Sequence, residues 1–138
     1  MRRLALVSAV VMLILGVTGL VFGAVLIVAA SSIHNQTVAE LEKDGSPTTI
    51  GELRELREDL SAQRRAFFAA FGPAAYNPAD PAQQTGFNLI VMEKGVGISL
   101  TNLSRAITTQ YAGIGILVLG IGLAAAGVVQ YRTAGRIT

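Results

Sequence analysis

Residues 25–36 read VLIVAASSIHNQ. An apolar run ends there on small residues, and polar sequence begins. Val28-Ala29-Ala30 also fits the small-residue pattern that signal peptidases cut, so this stretch decides whether the chain keeps one long apolar segment or two. Upstream, no charged or titratable side chain lies between Arg3 and His34, and the apolar run extends unbroken from Leu4 to Ala30. The apolar region of a signal peptide is about 7–15 residues long, which this run far exceeds. At about 1.5 Å rise per residue, it is also longer than a hydrocarbon core of about 30 Å requires. Its length predicts a retained anchor that crosses with some tilt.

The second apolar run, Ile107–Val129, is also of spanning length, and no charge falls between Arg105 and Arg132. Tyr111 and Tyr131 lie near its ends, where amphipathic rings favour the headgroup level. Arg2 and Arg3 precede the first run, and Arg132 and Arg136 follow the second. The positive-inside rule then predicts both termini in the cytoplasm. The expected fold is an all-α integral membrane protein. It is a two-span transmembrane helical hairpin in the plasma (inner) membrane, with a small extracytoplasmic helical domain between the spans. The expected division is a cytoplasmic N-terminus over 1–3, spans over 4–30 and 107–131, the outer domain over 31–106, and a cytoplasmic tail over 132–138.

Composition agrees with this reading. Of 138 residues, 51% are hydrophobic and only 14% charged, well under the roughly 25% usual in soluble domains. The net charge of +2 comes from arginines flanking the apolar runs, so it gives no reason to expect nucleic acid as a partner. There is no cysteine, which excludes disulfides, thiolate catalysis and cysteine-ligated metal.

Between helices in lipid, burying one apolar side chain against another gains little, because the lipid tails are equally apolar. Association relies instead on close backbone approach, which small residues allow. The first span carries Ala9, Gly16, Gly23 and Ala30, and the second Gly113, Gly120 and Gly127, all at seven-residue intervals. That interval keeps a seam facing its partner in a left-handed crossing. Run antiparallel, the seam brings Gly23 near Gly120, Gly16 near Gly127 and Ala30 near Gly113. Other small residues remain. Gly19 and Gly23 make a GxxxG, and Gly115, Gly122 and Ala126 lie on the face of the second span opposite Gly120. This second face is a candidate partner-binding surface.

In the outer segment, the first helix is expected to continue to about Lys43, with Asp44-Gly45-Ser46-Pro47 as a turn. An amphipathic helix is expected over about 50–71. Thr49 and Glu52 form a capping box, and Ile50, Leu53, Leu56, Leu60, Phe67 and Phe71 form the apolar stripe. Arg54, Glu55, Glu58, Asp59 and Arg65 fall on a solvated face. Phe67, Phe68 and Phe71 either pack locally, dock a partner or touch the outer leaflet. A proline-punctuated loop is expected over 72–87. Over 88–106 a helical stripe through Leu89, Met92, Val96, Leu100 and Leu103 competes with a β-hairpin turning at Glu93-Lys94-Gly95. The helix is favoured because it joins a span that must itself be helical.

No charged side chain lies within either span, which argues against a pump or transporter. His34 is the single histidine, so multi-histidine metal sites and a Ser-His-Asp arrangement within the chain have no basis. The carboxylates of Glu52–Asp59 lie along one solvated helix rather than converging. The sequence therefore predicts a non-enzymatic protein without a cofactor, whose partners are the bilayer and other membrane subunits or itself. An accessory or scaffold subunit of a membrane complex is the leading reading. A self-assembling channel and an extracytoplasmic sensor acting through a partner are the alternatives.

Overall fold

The computed structural model describes residues 2–71, 77 and 79–136. These form three helices: α1 (Arg2–Lys43), α2 (Ile50–Phe71) and α3 (Pro81–Arg136). Both α1 and α3 are long and apolar enough to cross a membrane. The chain divides into two compact units, one of Met1–Ser32 with Ala106–Thr138, the other Ile33–Arg105.

Local chemistry sets the helix ends. Gly45 adopts φ +66°, a left-handed conformation that costs glycine no Cβ clash. The Ser46 N–H donates to the Leu41 carbonyl at 2.9 Å and the Gly45 N–H to that of Glu42 at 3.1 Å. This is the Schellman pattern that closes a helix C-terminus. Thr49 caps α2. Its Oγ1 accepts from the Glu52 N–H at 3.3 Å and donates to Glu52 Oε2 at 2.7 Å. The carboxylate thus binds the threonine hydroxyl, a variation on the expected capping box.

The start of α3 differs from expectation. The loop expected over 72–87 gives way to helix at Pro81, and Pro81–Phe87 is helical. Asp80 explains this. Its Oδ1 accepts from the Ala82 N–H at 2.9 Å, and its carbonyl accepts from Gln83 and Gln84, each at 3.0 Å. Asp at the cap followed by Pro at the first helical position is a preferred start, because proline lacks only an N–H that would be orphaned there. Asp80→Ala should cost about 0.5–2 kcal/mol. Faster amide exchange over residues 82–86, with α2 unaffected, would report it. The segment over 88–106 is helical throughout, with Glu93-Lys94-Gly95 inside α3. Strand pairing is absent there because the backbone groups are satisfied along the helix.

In the second unit the core is Leu41, Leu53, Leu60, Val96, Leu100 and Leu103, contributed by all three helices. Val38, Ile50, Leu56 and Leu89 pack against it. Met92, expected on the buried stripe, is instead 55% exposed. Phe67 packs over Gly86, where an added Cβ would meet its ring at 2.5 Å. Phe68 meets Phe67 edge-on, centroids 5.6 Å apart, and remains exposed. The Phe71 side chain lies outside the described residues.

The first unit pairs α1 with α3, antiparallel. Gly23 lies by Gly113 and Leu117, and Gly127 by Ala9 and Leu13. All seven expected seam residues are buried, and Ala106 and Ala134 extend the α3 series one step at each end. The register differs from the expected one by about one helical turn. Gly16 faces Ala124 rather than Gly127, and Gly23 faces Leu117, with the Gly113 carbonyl also against it, rather than Gly120. Gly113 in turn meets Gly23, Leu26 and Ile27, not Ala30. Gly120 falls between Gly16 and Leu20, beside Gly19, so Gly19 belongs to the seam too. In this register each glycine gap receives backbone of the facing helix, Gly120 against Gly16 and Gly19 among them, and the Leu13 and Ile27 side chains close against Gly127 and Gly113.

Candidate functional site

Two features stand out, one in each unit. In the first unit, Gly115 and Gly122 would accept a Cβ with nothing within 4 Å, and Ala126 is exposed. These three form an open small-residue face, distinct from the seam. Elsewhere in this unit large side chains point outward. Val7, Ile14, Val21 and Val28 on α1 and Val118, Leu119 and Ile121 on α3 are each more than half exposed.

In the second unit, α2 and α3 flank a cleft of about 740 Å³. Its charged lining is Arg57, Arg64, Lys94 and Arg105 against Glu93. Periodicity assembles it. Arg57 and Arg64 each follow a buried leucine, Leu53 and Leu60, by one helical turn, so both lie on the same edge of the core stripe. On α3, Glu93, Gly97, Thr101 and Arg105 recur at four-residue intervals and form the facing wall.

Arg64 Nε lies 2.6 Å from Glu93 Oε2, joining the two helices. Among the described residues this is the only ion pair, and it occupies the only carboxylate in the cleft. The pair is partly exposed, at 36% and 18% for the two side chains, so its worth to stability is modest, up to about 1 kcal/mol. Arg57, Lys94 and Arg105 are exposed. The Arg57 guanidinium lies across α3 at Gly97, 3.8 Å from where a Cβ would stand. Thr101 donates its hydroxyl proton to the Gly97 carbonyl at 2.9 Å. Arginine and lysine offer only donors, so the cleft is chemically suited to oxyanions.

The opposite flank of α2 is acidic. Glu52, Glu55 and Asp59 border a second hollow beside the Gly45–Pro47 turn. Among the described residues no three His, Cys, Asp or Glu side chains group as metal ligands, and His34 is exposed.

Arg57 and Arg64 do not stand out from sequence. Their signal is the seven-residue spacing beside Leu53 and Leu60, but the cleft depends on which residues of α3 lie opposite. Compared with known families, curated proteins and solved structures, the chain has no match.

Proposed function

We propose that α1 and α3 both cross the membrane, with 31–106 outside and both termini cytoplasmic, and that the protein is a non-catalytic accessory or scaffold subunit of a membrane complex. The observation that carries this reading is the inverted packing of the first unit. Small residues face inward, and large apolar ones face outward. Only 11% of the most apolar window of α1 is buried, and 17% of that of α3. A core helix of a soluble protein would be mostly buried, because water penalises exposed apolar area by roughly 25 cal/mol per Å². Lipid imposes no such penalty. The packing of Gly16 and Gly23 against α3 favours retention of residues 4–30 in the mature protein.

The subunit reading draws on two surfaces. One is the open face of Gly115, Gly122 and Ala126, which permits close approach of another helix. The other is the apolar exposure of Phe68, Phe87, Val91, Met92 and Ile98 in the second unit.

Native mass spectrometry tests this on protein extracted in mild detergent from its own membrane, with chains ejected and weighed. The expected result is an intact chain of 14.4 kDa together with different, heavier or lighter, subunits. A chain that begins at Ser31 overturns the two-span reading. An assembly made only of this chain overturns the accessory reading and turns attention to a self-assembled channel.

A further inference from the structure

We infer that the basic cleft between α2 and α3 binds a phosphate-bearing anion. Four cations line it against one carboxylate, and Arg64 already occupies that carboxylate. Among the described residues Arg57, Lys94 and Arg105 have no acidic partner, in a chain whose net charge is only +2. Their spacing suits one extended ligand. Lys94 and Arg105 lie about 16 Å apart along α3 at the usual helical rise, with Arg57 reaching across from α2 between them.

The floor of the cleft supports a ligand-bearing role. Gly97 is a glycine in a helix interior, which costs roughly 1 kcal/mol against alanine. No backbone contact from another helix requires it, since the nearest atoms to an added Cβ are those of the Arg57 guanidinium at 3.8 Å. The missing side chain keeps the floor low where Arg57 crosses it. Ile90 and Ile98 add apolar surface to the cleft lining. Asn102 adds an uncharged donor. The volume is within the range of small-molecule sites, about 300–1,000 Å³. Guanidinium groups bind phosphate through paired N–H donors, and three cations call for a ligand carrying more than one negative oxygen.

That chemistry has two sources, an anionic lipid headgroup and a phosphate compound in solution. Arg105 directly precedes Ala106, the first α3 residue of the apolar unit, so both sources need testing.

The experiment uses the full chain in two arms. In neutral detergent, inorganic tripolyphosphate, a more extended polyanion, is titrated at constant ionic strength, and the melting temperature is read. In bilayers of phosphatidylcholine and phosphatidylglycerol mixed three to one, the lipids retained after extraction are counted by native mass spectrometry. The wild type should respond in at least one arm, either with a melting temperature raised by several degrees or with selective retention of phosphatidylglycerol. The variant R57Q/K94Q/R105Q should bind the same probe more weakly by roughly tenfold or more, as expected for lost charged hydrogen bonds. All three side chains are exposed, so its unliganded melting temperature should match that of the wild type. The control R54Q/R65Q removes two cations from the solvated face of α2 and should keep full binding. A response in the first arm assigns a soluble phosphate, and one in the second a lipid headgroup. No response in either arm overturns the inference. So does undiminished binding by the triple variant, or an equal loss in the control.

Discussion

Replacing Gly120 with leucine will separate α1 from α3, whereas the same replacement at Gly122, two residues away, will leave them packed. At Gly120 a Cβ would stand 2.8 Å from the Gly16 oxygen, 2.8 Å from the Leu20 nitrogen and 3.0 Å from the Gly19 carbonyl carbon. All three are backbone atoms, so no rotamer change relieves the clash, and the helices must move apart. Even alanine should cost about 1–3 kcal/mol, the usual range for overpacking. Leucine adds three further carbons and should exceed that range. At Gly122 nothing lies within 4 Å, so alanine or leucine is accommodated. The chain has no cysteine, which allows clean spin labelling at Leu4→Cys and Thr133→Cys, two exposed positions at the same end of the pair by the observed register. Gly120→Leu should lengthen and broaden the distance distribution, and Gly122→Leu should leave it unchanged. Equal behaviour of the two variants would show that the seam does not hold the helices together. The outward variant carries a second expectation. If Gly115, Gly122 and Ala126 seat another subunit, Gly122→Leu should remove that subunit from the purified assembly while the labelled distance stays constant.

The contrast between Gly120 and Gly122 also marks how far the sequence can be read. Which residues line the seam follows from a seven-residue spacing, because helical periodicity assigns each residue to a face. Facing partners do not follow, because sliding one helix past the other by a turn keeps the same faces, and so the same small residues, in the seam. The choice between registers depends on how gaps and ridges interlock, and that requires both backbones. The same ambiguity leaves Gly19 off the seam when spacing alone is considered. The basic cleft is hidden for a similar reason. Arg57 and Arg64 are visibly seven apart, but only the placement of α3 sets Glu93, Gly97 and Arg105 opposite them. The turn at Gly45 and the cap at Thr49 are legible because their chemistry is local. Asp80-Pro81 carries an equally local signal, a cap followed by a first-turn proline. The neighbouring prolines and glutamines obscure it, because they suggest a loop.

The two units are stabilised by opposite means, and this sets what substitutions do in each. In the first, side chains contribute mainly by being small. In the second, six buried aliphatic residues form a conventional core, and a unit of this size has little stability to spare.

Leu53→Ala should therefore unfold much of the second unit while leaving the first intact. Leu53 is fully buried at 0% exposure and sits on α2, which belongs wholly to the second unit. Truncating a buried leucine costs about 2–5 kcal/mol, from lost transfer energy and from the cavity left behind. A small domain offers stability of only about 3–5 kcal/mol, so the change is comparable to the whole. Hydrogen exchange read by mass spectrometry distinguishes local from global loss. Amides of residues 50–71 and 89–103 should exchange faster by roughly 30-fold to several thousandfold, since about 1.4 kcal/mol corresponds to a factor of ten. Amides of residues 10–28 and 110–130 should keep their protection, because the seam contains none of the lost contacts. Phe68→Ala, at an exposed position, should change neither region appreciably. If Leu53→Ala instead accelerates exchange in both units equally, the chain unfolds as one cooperative body, and the core around Leu53 is as necessary to the paired helices as the glycine seam itself.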